Sequence, residues 1–160
     1  MMHIVRIADS KISGDPADIL ITHALGSCLG ITIFDFKKGV GGMIHCMLPD
    51  SSMDPGKADK TPAMFIDSGM RQMIDIFTEN GSNKRDLIIK AAGGSSAKVN
   101  DDDDFFQIGR RNFISLRKFL WDNGLTLKSY DVGGYNSRTI SLNIKTGILT
   151  VKINGTMNKL

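Results

Sequence analysis

At 160 residues, with 41% hydrophobic and 23% charged side chains, the chain has enough apolar surface to bury a core as one domain spanning 1–160, which excludes a disordered or low-complexity protein. The net charge of +3 is uneven: residues 1–104 carry 11 Lys/Arg against 15 Asp/Glu, and residues 105–160 carry nine against two. The basic third lacks interleaved aromatics and any helix-turn-helix or zinc-finger spacing, which argues against nucleic acid as a partner.

No apolar run reaches the ~18 residues of a membrane-spanning helix, and the start, MMHIVRIADS, lacks the order of a signal peptide. A cytoplasmic setting without membrane insertion is therefore expected, with Cys28 and Cys46 as reduced thiols. Along the chain, HIVRIAD (3–9) alternates as a strand, and ADILITHAL (17–25) reads as another after the Gly-Asp-Pro turn at 14–16. CLGITIF (28–34) and VGGMIHCML (40–48) flank the turn at 35–39 as a hairpin.

From about residue 59 the period becomes helical, with Ile66, Met70, Met73, Ile74 and Phe77 on one face and Asn80-Gly81 as the stop. DLIIKAA (86–92) reads as a strand running into Gly93-Gly94. A second helix is predicted over about 109–123, with Phe113, Leu116 and Leu120 inward and Asn123-Gly124 at its end. LTLKSYDV, RTISLNI and ILTVKI close the chain as strands, the last two joined by Lys145-Thr146-Gly147. This is a strand-rich α/β order of the α+β type.

The stretch ALGSCLGITIFD (24–35) places Cys28 between a Gly-Ser pair and a strand. A nucleophilic cysteine needs an accessible sulfur, a base, and nearby N–H groups for the oxyanion formed on attack. Gly26 permits a tight turn and close backbone approach to a substrate, and N–H groups around Ser27 and Cys28 are candidates for the oxyanion site. The candidate base is His45, on the other arm of the predicted hairpin. Alternation puts Met43, His45 and Met47 on one face and Ile44, Cys46 and Leu48 on the other, which casts Cys46 as a buried apolar residue. Thr22, on the preceding strand, is positioned to orient the imidazole through its hydroxyl or its carbonyl. Taken alone, one Cys and one His on neighbouring strands are more often packing than catalysis.

Thr-His-Ala-Leu-Gly-Ser-Cys-Leu-Gly at 22–30, followed by Gly-Gly-Met-Ile-His-Cys-Met-Leu-Pro-Asp-Ser at 41–51, resembles the CheD chemoreceptor glutamine deamidases. Ile-Gly-x-Arg-Asn at 108–112, Asp-Val-Gly-Gly at 131–134 and Ser137-Arg138 extend the likeness through most of the chain. The resemblance implies a fold with two β-sheets and flanking helices, related to bacterial toxin deamidases. It also implies hydrolysis of glutamine side chains in the cytoplasmic helical domain of chemoreceptors, without a cofactor or metal. Residue by residue, it carries the nucleophile onto Cys28, the general base and acid onto His45, and the orienting role onto Thr22. A methyl ester would give the same thioester with methanol leaving, so receptor methylesterase activity is open to the same site.

Two departures stand out. Where the family reads Gly-Gly-Ala-x-Met-Phe, this chain has GGSSAKV (93–99) and then Asp101–Asp104. The missing Met-Phe pair belongs to the surface with which relatives dock the CheC phosphatase, so weak or no docking of a CheC-type protein is expected. The aspartates lack the glycine and distal glutamate of an EF-hand and read as a solvated loop. Gly133-Gly134 reads as a turn with positive φ angles. Arg138 either anchors that turn through Asp131 or contacts substrate. The alternatives to an enzyme are a non-catalytic module that binds receptors or a CheC-type phosphatase, and a zinc site built from His23, Cys28, His45 and Cys46. The opposed faces of His45 and Cys46 make the zinc site awkward.

Overall fold

The computed structural model describes residues 1–96, 104 and 106–160. Ala97-Lys98-Val99, Asp101 to Asp103 and Phe105, on which the expectations about the CheC-docking segment and the acidic loop rest, lie outside the described residues.

Period-2 segments supply the strands β1 (Met2–Ile4), β2 (Ser10–Ser13), β3 (Ile19–Leu25), β4 (Leu29–Asp35), β5 (Val40–Cys46), β6 (Leu87–Gly93), β7 (Leu127–Val132), β8 (Arg138–Asn143), β9 (Leu149–Ile153) and β10 (Thr156–Lys159). The helices are α1 (Pro55–Lys60), α2 (Ile66–Glu79) and α3 (Ile108–Asp122). One sheet runs β1-β3-β8-β9-β10 and the other β2-β5-β4-β6-β7. In each sheet one pair is parallel, β1 with β3 and β6 with β7, and the remaining pairs are antiparallel.

The fold is α/β of the α+β type, two sheets stacked face to face with α2 and α3 covering the outer face of the second. The parity of β4 and β5 explains this layering. Leu29, Ile31, Ile33, Ile44 and Cys46 point to the helices and meet Met70, Met73, Ile74, Phe77, Leu116 and Leu120. Phe34 and Met43 point the other way and pack with Leu20, Leu25, Ile140, Leu142 and Val151 between the sheets. Every residue of β4 is buried, as a strand covered on both faces requires. The methionine-rich stripe of α2 is core, as its spacing predicts.

Three expectations are corrected. HIVRIAD is not one strand: β1 ends at Ile4, and after Val5 continues the pairing with Ile21 the chain leaves that sheet, turns at Ala8 (φ 60°) and enters the other sheet as β2. Phe113 is only half-buried, because its ring lies 4.9 Å from Tyr130 at the helix edge while Gly109, Asn112, Leu116, Phe119 and Leu120 face inward. The chain also closes with an additional strand, β10, folded back on β9 through Asn154 (φ 48°) and Gly155 (φ 82°).

Candidate active site

The site forms where the two sheets face each other at the end of β4. Thr22 occupies an inward slot of β3 and His45 the matching inward slot of β5, so a polar pair bridges the two sheets within a largely apolar layer. Thr22 Oγ1 lies 2.7 Å from His45 Nδ1 and 2.6 Å from the carbonyl oxygen of Val5.

These two distances set the imidazole tautomer. A carbonyl only accepts, so the single hydroxyl hydrogen of Thr22 goes to Val5; Oγ1 must then accept, and His45 Nδ1 is the nitrogen that carries hydrogen. Nε2 is left as a bare lone pair, buried and without a hydrogen-bond partner among the described residues. The His45 backbone is fixed as well, since its carbonyl accepts from Ala8 N–H (2.9 Å) and its N–H donates to the Asp9 carbonyl (3.0 Å). Burial lowers the His45 pKa to about 4, so the ring is neutral at pH 7.

Cys28 sits just ahead of β4, half-buried against the inter-sheet cluster. The β4–β5 register pairs Gly30 with His45, and Cys28, two residues before Gly30, packs against the inter-sheet layer into which the imidazole points. Burial raises the pKa of its thiol. Cys28 and His45 are thus a neutral thiol and a neutral imidazole on one face, with no hydrogen bond between them. Cys46 points to the helices, is fully buried, and directs its thiol at the Phe65 carbonyl (3.8 Å). Among the described residues, no three His, Cys, Asp or Glu side chains cluster as a metal site.

The turn that carries Cys28 differs from the expectation about Gly26. The left-handed residue is Ala24 (φ 57°), at a bulge where the β3–β8 register shifts between Thr22 and Leu25. Gly26 has no positive φ, and a Cβ there would meet nothing within 4 Å, so the turn itself does not require glycine. Ser27 is exposed. The carbonyls of the turn are held one by one: Gly26 by Ser95 N–H (2.9 Å), Ser27 by the Asn112 amide (2.9 Å) and Cys28 by Gly94 N–H (2.9 Å). The N–H groups of Ser27 and Cys28 are not taken by backbone carbonyls of the described residues.

Arg138 is buried and directs its donors at Asp131 Oδ1 (3.0 and 3.2 Å) and at the carbonyls of Gly133 (2.8 Å), Gly93 (3.2 Å) and Asn136 (3.3 Å). All five guanidinium N–H groups are accounted for within the fold. Gly133 (φ 87°) and Gly134 (φ 69°) form the turn that these bonds hold.

A family model described as CheD chemotactic sensory transduction matches residues 47–153. The chain belongs to the CheD family. It is 44% identical over 157 residues to a protein of Solibacter usitatus named probable chemoreceptor glutamine deamidase CheD, covering 98% of this chain and 92% of the relative. It is also 44% identical over 152 residues to probable chemoreceptor glutamine deamidase CheD 1 of Syntrophus aciditrophicus, covering 95% and 94%. Among solved structures, the hypothetical protein YfiH of Bacillus licheniformis superposes on 79% of the chain and 49% of its own, with a TM-score of 0.48 and 13% identity. The family match begins just after His45, whereas both alignments with relatives span nearly the whole chain.

Sequence reasoning missed two residues that frame this CheD site. Val5 acts through its backbone carbonyl, which no side-chain pattern announces. Asn112 did leave a signal, a polar residue in an inward slot of α3 within the Ile-Gly-x-Arg-Asn block.

Proposed function

We propose that the chain is a protein-glutamine deamidase acting on chemoreceptor glutamines, the activity in its relatives' names, with Cys28 as nucleophile, His45 as general base and acid, and Thr22 as the residue that orients His45. The observation that carries this reading is the Thr22 hydroxyl held between His45 Nδ1 (2.7 Å) and the Val5 carbonyl (2.6 Å), which leaves Nε2 a bare lone pair on the face shared with Cys28. A histidine kept only for packing has no need of a buried, unpartnered nitrogen.

In the reaction, His45 Nε2 takes the Cys28 thiol proton as the sulfur attacks the glutamine side-chain carbonyl. The new C–S bond gives a tetrahedral oxyanion, and the backbone N–H groups of Ser27 and Cys28 on the attacking turn are the donors assigned to it. Protonated His45 hands its proton to the leaving nitrogen, the C–N bond breaks and ammonia departs. Water, deprotonated by His45, then opens the thioester, and the proton returns to the sulfur. The net change is glutamine plus water to glutamate plus ammonia. A glutamyl methyl ester would enter the same cycle with methanol leaving.

The test is incubation with cytoplasmic fragments of chemoreceptors, followed by mass spectrometry for the ~1 Da gain of glutamine becoming glutamate, since NH₂ is replaced by OH. Cys28→Ala should remove that gain with the fold intact. An unmodified fragment after treatment with the wild-type protein would favour a binding module that keeps the fold without the reaction.

A further inference from the structure

The β4–β5 ladder ends at the pair Leu29 and Cys46, one residue short of Cys28 and one past His45. Beyond that rung the strands part: the N–H groups of Met47 and Leu48 turn to the Met64 carbonyl (2.8 and 3.0 Å), and the Cys28 carbonyl turns to Gly94. His45 lies inside the ladder, and beyond its last rung no β4–β5 pair ties the turn that carries Cys28 to the segment that follows β5.

Asn112 stands in this gap. Its side-chain amide donates both hydrogens, one to the Ser27 carbonyl (2.9 Å) and the other to the Met47 carbonyl (3.0 Å). Ser27 directly precedes Cys28, and Met47 follows His45 by two residues. The amide orientation is unambiguous, because a flip would aim Oδ1 at two carbonyl oxygens. Oδ1 is buried with no partner among the described residues, so this fully buried side chain leaves an acceptor unsatisfied in order to present two donors. A second contact from α3, Ser115 Oγ to the Pro49 carbonyl (2.6 Å), fastens the helix to the segment that follows β5.

We infer that Asn112 is a positioning residue for the thiol–imidazole pair: beyond the last β4–β5 rung it ties the Cys28 turn to the segment that follows β5, and thereby sets how Cys28 Sγ approaches the ladder-held His45 Nε2. The inference rests on the Cys28–His45 reading above and names a residue that acts on that pair without touching substrate. A helix anchor would need only one such bond, to one strand. A side chain that clasps the residue before the nucleophile and the second residue after the base at once holds the nucleophile's turn against the end of the strand that carries the base.

The experiment uses p-nitrophenyl acetate with the full chain. The Cys28 sulfur bonds to the acetyl carbon, p-nitrophenolate leaves, and the thiol proton passes to His45, so acylation reads the pair whether or not a receptor glutamine is the natural substrate. Asn112→Ala should slow Cys28 acylation by at least tenfold and up to about 100-fold, the scale of a 1 Å misplacement. In a His45→Ala background the same substitution should cost less than about threefold, because there is no base left to misalign. Equal losses in the two backgrounds, or unchanged acylation in Asn112→Ala, would overturn the inference. If Asn112→Ala fails to fold, Asn112→Ser keeps one donor and should give an intermediate rate; a wild-type rate there also overturns it. Wild-type acylation combined with no receptor deamidation would count against the substrate reading alone.

Discussion

Thr22 and His45 belong to different sheets, and their 2.7 Å hydrogen bond is a polar link across the layer between them. Its direction follows from the 2.6 Å bond of the same hydroxyl to Val5, so Thr22 acts as an acceptor toward the imidazole. Thr22→Val keeps the shape and removes the hydroxyl. The Nδ1 hydrogen and the Val5 carbonyl then lose their partner inside the protein, at about 1–3 kcal/mol of stability. The tautomer with hydrogen on Nε2, which cannot act as base, becomes accessible. Deamidation should fall by at least about tenfold in Thr22→Val and recover most of that loss in Thr22→Ser, which keeps the acceptor. Chemical denaturation with a receptor-fragment assay measures both; full activity in Thr22→Val would remove Thr22 from the site.

The buried imidazole gives a second expectation, in the pH dependence. His45 has a folded-state pKa of about 4 against 6.5 for an unperturbed histidine. A group whose pKa is lowered by folding binds more protons when unfolded, so its contribution to stability is complete above pH 6.5 and is lost as pH falls toward 4. The loss amounts to about 3 kcal/mol from this residue. Activity obeys the same pKa: a base titrating at 6.5 would lose about 30-fold in kcat/KM by pH 5, whereas His45 should stay largely competent there. A kcat/KM profile between pH 5 and 8 separates the two, and a steep fall below pH 6.5 would contradict the buried neutral ring.

Cys28 and Cys46 should differ sharply toward alkylation. Cys46 is fully buried on the helix side of β5, with its thiol pushed far above the usual range by burial, whereas Cys28 is half-buried on the other face. Iodoacetamide should therefore modify Cys28 first under native conditions and reach Cys46 only on unfolding. Burial also raises the Cys28 thiol, so its labelling should accelerate as pH rises above 8 instead of running at a plateau through neutrality. Peptide mapping after timed quenching reads both, and early labelling of Cys46 would reverse the assigned faces.

The hairpin, the α2 stripe and the opposed faces of His45 and Cys46 were legible because side-chain parity and helical period are local properties of sequence. The family blocks around Thr22, Cys28 and His45 named the candidate residues. Other features depended on partners distant in sequence. HIVRIAD has the Ile and Val content of a strand, and a local pattern cannot reveal that its backbone pairs with β3 at one end and β5 at the other. Phe113 has the spacing of an inward residue, but Tyr130 offers its ring a place at the helix edge. Gly26 looked like the residue that permits the turn, yet the left-handed position is Ala24, because the β3 bulge comes two residues earlier. Asn154-Gly155 did carry a hairpin signal, and β10 follows from it.

The last expectation concerns two glycines beside Cys28 that sequence alone treats alike. Gly93 has φ 119°, which side chains rarely adopt, and a Cβ there would run into the Cys28 carbonyl oxygen. Backbone on both sides leaves nothing flexible to yield, because the Gly93 carbonyl is held by Arg138 and the Cys28 carbonyl by Gly94. Gly93→Ala should therefore cost more than about 1 kcal/mol and displace the turn that bears Cys28. Gly26 has open space where its Cβ would be and no positive φ, so Gly26→Ala should leave stability within about 0.5 kcal/mol of wild type. If Gly26 serves the close approach of a substrate backbone, Gly26→Ala should raise KM for the receptor fragment while p-nitrophenyl acetate, which has no such backbone, acylates Cys28 at the wild-type rate. Denaturant midpoints for the two variants with KM for the fragment settle the comparison. Comparable destabilisation by both substitutions would mean that the turn constrains Gly26 after all.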